Sequence, residues 1–380
     1  MCMNKKIRAM RLLSRLFYVF PVMSNRVVLT SYNGRLYTCS PKYIAEALAQ
    51  RGDYEVLYAL RNGSTDQVKE GMRRISYKSL AHFYYLMTAR FVVLNSSGFS
   101  LYLPYRESQV VIQTWHGGYS FKVIGNEIFT DKESIERRKL AGKTLTYFLS
   151  SSRAATVQHA KAMSVPVDKF LEIGLPRNDV LFRGHTEIRH MVCNLYGIDE
   201  ASRIVLYAPT YRDTAVGQSI DDSGIPPIND ATVVEALSQR FGSKYVFMYK
   251  AHHDMLPANM SPTAINASGH SDIQELMCAA DVIISDYSSC IADFALQRKA
   301  GFLYTPDLDE YARTHPLSMD PGDWPYQTAN SNEELVSNIL GYDEECGAER
   351  IENFFDRIGC CEDGHATESL ISVMNEAMGH

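Results

Sequence analysis

Residues 281–304 read DVIISDYSSCIADFALQRKAGFLY, and this stretch decides the fold. Val282–Ser285 is a short β-branched apolar run, as a strand buried on both faces requires. Asp286-Tyr287-Ser288-Ser289 ends that run with turn and capping residues. Ser289–Gln297 then reads as a helix, and Gly301–Tyr304 as a second strand. A strand, a helix and a strand in so short a span form a crossover unit, so the two strands run parallel in one sheet.

The flanking sequence repeats the alternation. Ile204–Ala208 and Tyr245–Tyr249 read as strands, and Thr232–Phe241, Ile273–Ala280 and Glu333–Leu340 as helices. Residues 176–184 collect Pro, Gly and charge, and a second series lies upstream of them. Its strands are Val27–Ser31, Tyr54–Ala59, Phe91–Asn95, Val110–Thr114, Tyr147–Leu149 and Phe170–Ile173, with a helix Lys42–Ala49 opened by Ser40-Pro41. The expected class is α/β, with two Rossmann-like domains whose parallel sheets face a central cleft. The expected divisions are a basic amphipathic segment 1–26, a first domain 27–185 and a second domain 186–380. Asp213–Asp230, rich in Gly, Pro and Asp, is expected to be a long loop.

With 380 residues, 46% of them hydrophobic, the chain is long enough for two cores. Its net charge of -6 is unevenly placed. Met1–Arg26 holds Lys5, Lys6, Arg8, Arg11, Arg15 and Arg26 and no acidic residue, which leaves the remainder at -12. An acidic body argues against a nucleic-acid partner, while the basic end suits an anionic surface. The eight Cys include no C-x-x-C pair, which fits reduced thiols in a cytoplasm. Arg15 interrupts the apolar stretch Leu12–Val22, and no run reaches the ~18 apolar residues of a membrane span. Leu12, Leu13, Leu16, Phe17 and Phe20 share one helical face, so this segment either docks on the core or lies on a membrane. Tyr77–Phe91 poses the same choice.

Ligands of open α/β sheets bind beyond the carboxyl ends of the strands. Trp115-His116-Gly117-Gly118 stands there after one strand, and Thr210-Tyr211-Arg212-Asp213 after another. Lys250-Ala251-His252-His253 and Asp286-Tyr287-Ser288-Ser289 follow two more. Ser288 and Ser289 open a helix whose amides suit a phosphate, although a plain N-cap reads the same way. Lys250, His252 and Arg212 are phosphate donors by type, His252 is also a catalytic candidate because it can carry a proton, Asp286 is grouped with the donors, and Asp213 is an orienting residue. His116 is the best general base, with Gly117 allowing close approach; a packed structural histidine is the plainer alternative. No H-E-x-x-H or dense His/Asp cluster accompanies His116, His252, His253 and Asp286, so neither a metal nor a cofactor is expected.

Taken in order, these motifs resemble the CDP-glycerol glycerophosphotransferases of teichoic-acid and capsule synthesis. The resemblance runs from about Arg26 to Leu340. It rests on Gln113-Thr114-Trp115-His116-Gly117, Gly174-Leu175-Pro176-Arg177-Asn178-Asp179, Tyr207-Ala208-Pro209-Thr210 with Arg212-Asp213, Lys250-Ala251-His252, and Asp281–Ser289 running on to Phe302-Leu303-Tyr304. It implies a GT-B-like architecture, His116 as catalytic base, His252 on the donor pyrophosphate, and Ser288 and Ser289 on phosphate. It also implies a CDP-glycerol donor, a lipid-linked or glycan acceptor, and a peripheral place on the inner face of the cell membrane. Gly118-Tyr119 stands where many members carry Thr-Pro, which bears on the acceptor. A CDP-ribitol or nucleotide-sugar transferase on the same fold, and a nucleotide-binding membrane regulator without turnover, are the competing readings.

Overall fold

The computed structural model describes residues 5–183, 185–210, 226–251 and 261–379. Arg212, Asp213, His252, His253 and residues 213–225 of the expected 213–230 loop lie outside them. The chain forms two compact units, one of Met1–Gly118, Ile124–Asp179 and Cys360–His380, the other of Tyr119–Val123 and Val180–Gly359.

The first unit is built on seven parallel strands: β1 (Met23–Thr30), β2 (Glu55–Leu60), β3 (Met72–Ser76), β4 (Ala89–Leu94), β5 (Val110–Gln113), β6 (Tyr147–Ser150) and β7 (Phe170–Glu172). Their order is β3-β2-β1-β4-β5-β6-β7. Strand alternation divides the apolar residues between two faces. Val27, Leu29, Tyr58 and Phe91 pack with Ile44 and Leu48 of the helix Cys39–Arg51. Val28, Leu57 and Val92 pack on the other side with Leu86 and Met87 of the helix Leu80–Thr88. The Tyr77–Phe91 stretch is therefore core-docked. β3 escapes a sequence reading because Arg73 and Arg74 interrupt it, and an edge strand tolerates such charge.

The second unit has six parallel strands: β8 (Arg203–Tyr207), β9 (Tyr245–Tyr249), β10 (Ile265–Asn266), β11 (Val282–Ser285), β12 (Gly301–Tyr304) and β13 (Gln327–Ala329). They lie in the order β10-β9-β8-β11-β12-β13. Val205, Tyr207, Ile284 and Phe302 share a core with Val233 and Leu237 of the helix Asp230–Phe241.

The units depart from a linear division in two places. The final helix, Ala366–Met378, buries Leu370, Ile371 and Met374 in the first unit's core. Asp179 caps it, its two carboxylate oxygens accepting from the Ala366 and Thr367 amides at 2.9 and 2.8 Å. Tyr119–Val123 joins the second unit instead: Phe121 is buried against Trp324 and Phe354, and Ser318 N donates to Phe121 O at 3.0 Å. Apolar side chains are claimed by whichever core can bury them, regardless of chain order.

The N-terminal segment is two-sided. Its helix Lys5–Ser14 and the 3₁₀ turn Arg15–Val19 pack Met10 and Phe17 on the first unit, with Ser14 buried. Arg11 donates to Tyr102 O at 2.7 Å, and the Tyr18 hydroxyl to Pro104 O. Leu12, Leu13 and Leu16 remain 68%, 62% and 68% exposed. Among the described residues no helix is long and apolar enough to cross a membrane.

Candidate active site

Each sheet reverses its strand order at one place, between β1 and β4 in the first unit and between β8 and β11 in the second. Such switch points leave the loops beyond the strand ends splayed, and ligands of α/β sheets collect there. Both are braced alike. Asn95, the first residue after β4, accepts the Tyr32 amide from the loop after β1 at 2.7 Å. Asp286, the first residue after β11, accepts the Thr210 amide from the loop after β8 at 2.8 Å.

His116 lies beside the first switch point, in the loop after β5. Its Nδ1 is 2.7 Å from the Asn95 carbonyl oxygen. A carbonyl only accepts, so Nδ1 carries the proton and the basic lone pair is on Nε2. The Tyr32 ring is 5.5 Å away and the Trp115 ring 4.2 Å. Trp115 sits in the left-handed region at φ 54°, uncommon for a bulky residue. Its amide is held by Gln113 Oε1 at 3.0 Å, and the His116 carbonyl accepts from Arg177 Nη1 at 2.7 Å. Beneath Trp115, His159 is buried and stacked on Phe148, and neither of its ring nitrogens has a hydrogen-bond partner among the described residues. Burial, with His116 nearby, pushes the His159 imidazole down to about 3. Gly117 is buried directly after the base candidate.

At the second switch point Asp286 is a brace. Its Oδ1 also accepts the Tyr287 amide at 2.6 Å, and an acceptor-only carboxylate has no hydrogen to offer a phosphate. Ser288 and Ser289 are half-buried ahead of the short helix Cys290–Ala295; Ser288 Oγ accepts the Cys290 amide at 3.4 Å, and Ser289 makes no side-chain cap. Tyr287 stacks face to face on Tyr311 at 3.8 Å, and Tyr311 on His315 at 4.6 Å. Lys250, after β9, donates to Ala251 O and Ser268 O at 3.2 and 3.1 Å, and burial pushes its ammonium down to about 8. It is thus a brace with one N–H to spare. Tyr119 is buried with its hydroxyl on Ser318 O at 3.2 Å.

Tyr32, Asn95 and Arg177 escaped the sequence reading as site residues. The strand-end test finds the first two when applied to β1 and β4, since Tyr32 and Asn95 follow those strands as Thr210 and Asp286 follow β8 and β11. Among the described residues no cluster of three or more His, Cys, Asp or Glu could hold a metal ion.

The family model for CDP-glycerol:poly(glycerophosphate) glycerophosphotransferases matches residues 12–375. The chain belongs to this family. Glycerol-phosphate transfer from CDP-glycerol is accordingly its reaction class. The teichoic acid poly(glycerol phosphate) polymerase of Bacillus spizizenii is 26% identical, over 97% of this chain and 96% of the relative. A teichoic acid ribitol-phosphate primase of the same organism is also 26% identical, over 97% and 94%. A solved structure of the wall teichoic acid polymerase TagF superposes with a TM-score of 0.82 at 22% identity, covering 99% of this chain and 95% of that one. The fold is therefore GT-B-like, with two Rossmann-like units.

Proposed function

We propose that this glycerophosphotransferase moves glycerol phosphate from CDP-glycerol onto a hydroxyl of a membrane-associated, polyprenyl-diphosphate-linked acceptor, in teichoic-acid or capsule-type polymer synthesis. The observation that carries the reading is the His116 imidazole at the β1/β4 switch point, with Nδ1 spent on Asn95 O and the lone pair left on Nε2. Nε2 takes the proton of the acceptor hydroxyl. The oxygen attacks the β-phosphorus in line, the bond from that phosphorus to the bridging oxygen breaks, and CMP leaves carrying the bridging oxygen. Ser288, Ser289, Lys250, Arg212 and His252 offset the phosphate charge in this scheme. Catalysis of this kind is positioning and electrostatics, with no covalent enzyme intermediate.

His116→Ala should lower single-turnover CMP release by roughly 10²–10⁴ and leave CDP-glycerol binding near wild type. Turnover close to wild type would remove His116 from the base role. The equal likeness to a ribitol-phosphate primase supports a second donor reading. A panel of CDP-glycerol, CDP-ribitol and nucleotide sugars separates the donors by CMP or nucleoside diphosphate released.

The enzyme's place in this reading is the inner membrane face. The support is the exposed stripe Leu12, Leu13, Leu16 and Val19, with Lys6, Arg8 and Arg15 exposed on the same short segment.

A further inference from the structure

The run Gly174–Asp179 belongs to the family resemblance, yet its residues have no role in the scheme above. The structure turns three of its side chains toward two separate segments, the C-terminal one and the loop after β5. Asp179 caps the final helix. Asn178 donates to Glu362 Oε1 at 2.8 Å, while the Leu175 amide takes Oε2 at 3.1 Å. Gly174, at φ 81°, leaves the space this carboxylate needs, since a Cβ there would lie 2.6 Å from Oε2. Arg177 reaches the base loop, its Nη1 2.7 Å from the His116 carbonyl.

We propose that Arg177 is a positioning residue for His116. The inference rests on His116 being the base. Trp115 is held left-handed, a strained conformation that persists only where its surroundings over-determine it. Gln113 Oε1 fixes the peptide before the strained residue and Arg177 fixes the carbonyl after His116. Between those two anchors the imidazole is set on Asn95 O. Arg177 is buried and is itself fixed, its amide donating to Ser40 Oγ at 3.4 Å and its Nη1 lying 3.9 Å from Cys39 Sγ. Without the guanidinium, the loop relaxes toward an ordinary backbone and carries the imidazole off the Asn95 carbonyl.

The guanidinium also brings a permanent positive charge close to His116, which opposes protonation of the imidazole and keeps the base competent at lower pH. Among the described residues, Tyr32, Cys39 and His159 are titratable groups at the loop. His159 stays neutral down to about 3, and phenols and thiols ordinarily titrate above the ~pH 5–8 window in which histidine changes charge.

The test compares full-length wild type, Arg177→Met, Arg177→Lys and His116→Ala. Single-turnover CMP release is followed against pH, CDP-glycerol affinity by calorimetry, and the tautomer of His116 by ¹⁵N-histidine NMR without substrate. Arg177→Met should lose about 100-fold in turnover, as misplacement of a catalytic group by ~1 Å does, with donor affinity within about twofold of wild type. Its acid limb should move up by about one pH unit, and its His116 signal should shift from the Nδ1–H form to a tautomer mixture. Arg177→Lys should keep the wild-type limb, because the charge remains, and lose at least about tenfold in turnover, because one ammonium cannot replace the planar fork. A wild-type limb and tautomer in Arg177→Met overturn the proposal, as does a rate loss matched by lost donor affinity. If Arg177→Met does not fold, wild-type turnover in Arg177→Lys overturns it. The NMR readout judges the positioning by itself, so near-wild-type turnover in His116→Ala would refute the base assignment separately.

Discussion

Replacing Leu13 and Leu16 by serine should detach the enzyme from anionic vesicles without unfolding it. Full burial of a Leu stabilises by ~1.5–3 kcal/mol. These two are 62% and 68% exposed, so moving their open surface into lipid contributes ~2–4 kcal/mol together. Losing that weakens partitioning by ~30- to 700-fold at 1.4 kcal/mol per tenfold. Lys6, Arg8 and Arg15 add about 1 kcal/mol each near an anionic surface, screened over ~8 Å at physiological salt. Flotation with vesicles containing anionic lipid measures the change, and raising salt should weaken the wild type further. Thermal unfolding is the control. Met10, Ser14 and Phe17 are the residues that face the core, so the double substitution should leave the midpoint nearly unmoved. Deleting the whole segment is a poorer experiment, because it also uncovers the surface that Phe17 and Arg11 cover. Undiminished flotation of the double mutant, at wild-type stability, would refute the reasoning.

The Ser288→Ala/Ser289→Ala pair should weaken CDP-glycerol binding by an amount set by charge-assisted hydrogen bonds of ~1.5–3 kcal/mol each, read by calorimetry; unchanged affinity and turnover would leave both serines as loop residues. Asp179→Ala should destabilise by ~1–2 kcal/mol or more through loss of a two-amide helix cap, seen as a lower unfolding midpoint with CDP-glycerol affinity retained. His82 and His159 are both buried, and burial pushes each imidazole to about 3. The unfolded chain binds their protons near pH 6.5, so stability should fall as pH drops from there toward 3, by up to ~1.4 kcal/mol per pH unit for each. His159→Phe, which keeps the ring stack, should flatten that slope in denaturant titrations, and an unchanged slope would refute the assignment.

The α/β alternation was legible because buried parallel strands are β-branched and apolar, as in Val282–Ser285 and Val27–Leu29. Strand ends were legible too, so His116 and Ser288–Ser289 fell where ligands of such sheets bind. What a strand-end residue does was not. Asp286 looks like a site carboxylate in sequence, and nothing local there foretells its bond to the Thr210 amide. Arg177 stands in a motif with no role legible in sequence, and its carbonyl partner lies 61 residues away on the backbone. Such bonds join distant segments and leave no local pattern. The N-terminal stripe was ambiguous because one helix serves both readings, with Phe17 turned inward and Leu16 outward.

The division of the first unit sets a timetable for synthesis. Its sheet is complete once β7 has been made, but the face bearing Val27, Leu29 and Tyr58 is also covered by Leu370, Ile371 and Met374. A ribosome adding about 5–20 residues per second needs roughly 10–40 s to pass from Val180 to Met374. For that interval the nascent sheet carries an uncovered apolar strip while the second unit is made and folds. Newly made chains should therefore be held by a chaperone until Met374 is available to pack, and a protein lacking residues 361–380 should be cleared as unfolded even though every candidate site residue is present.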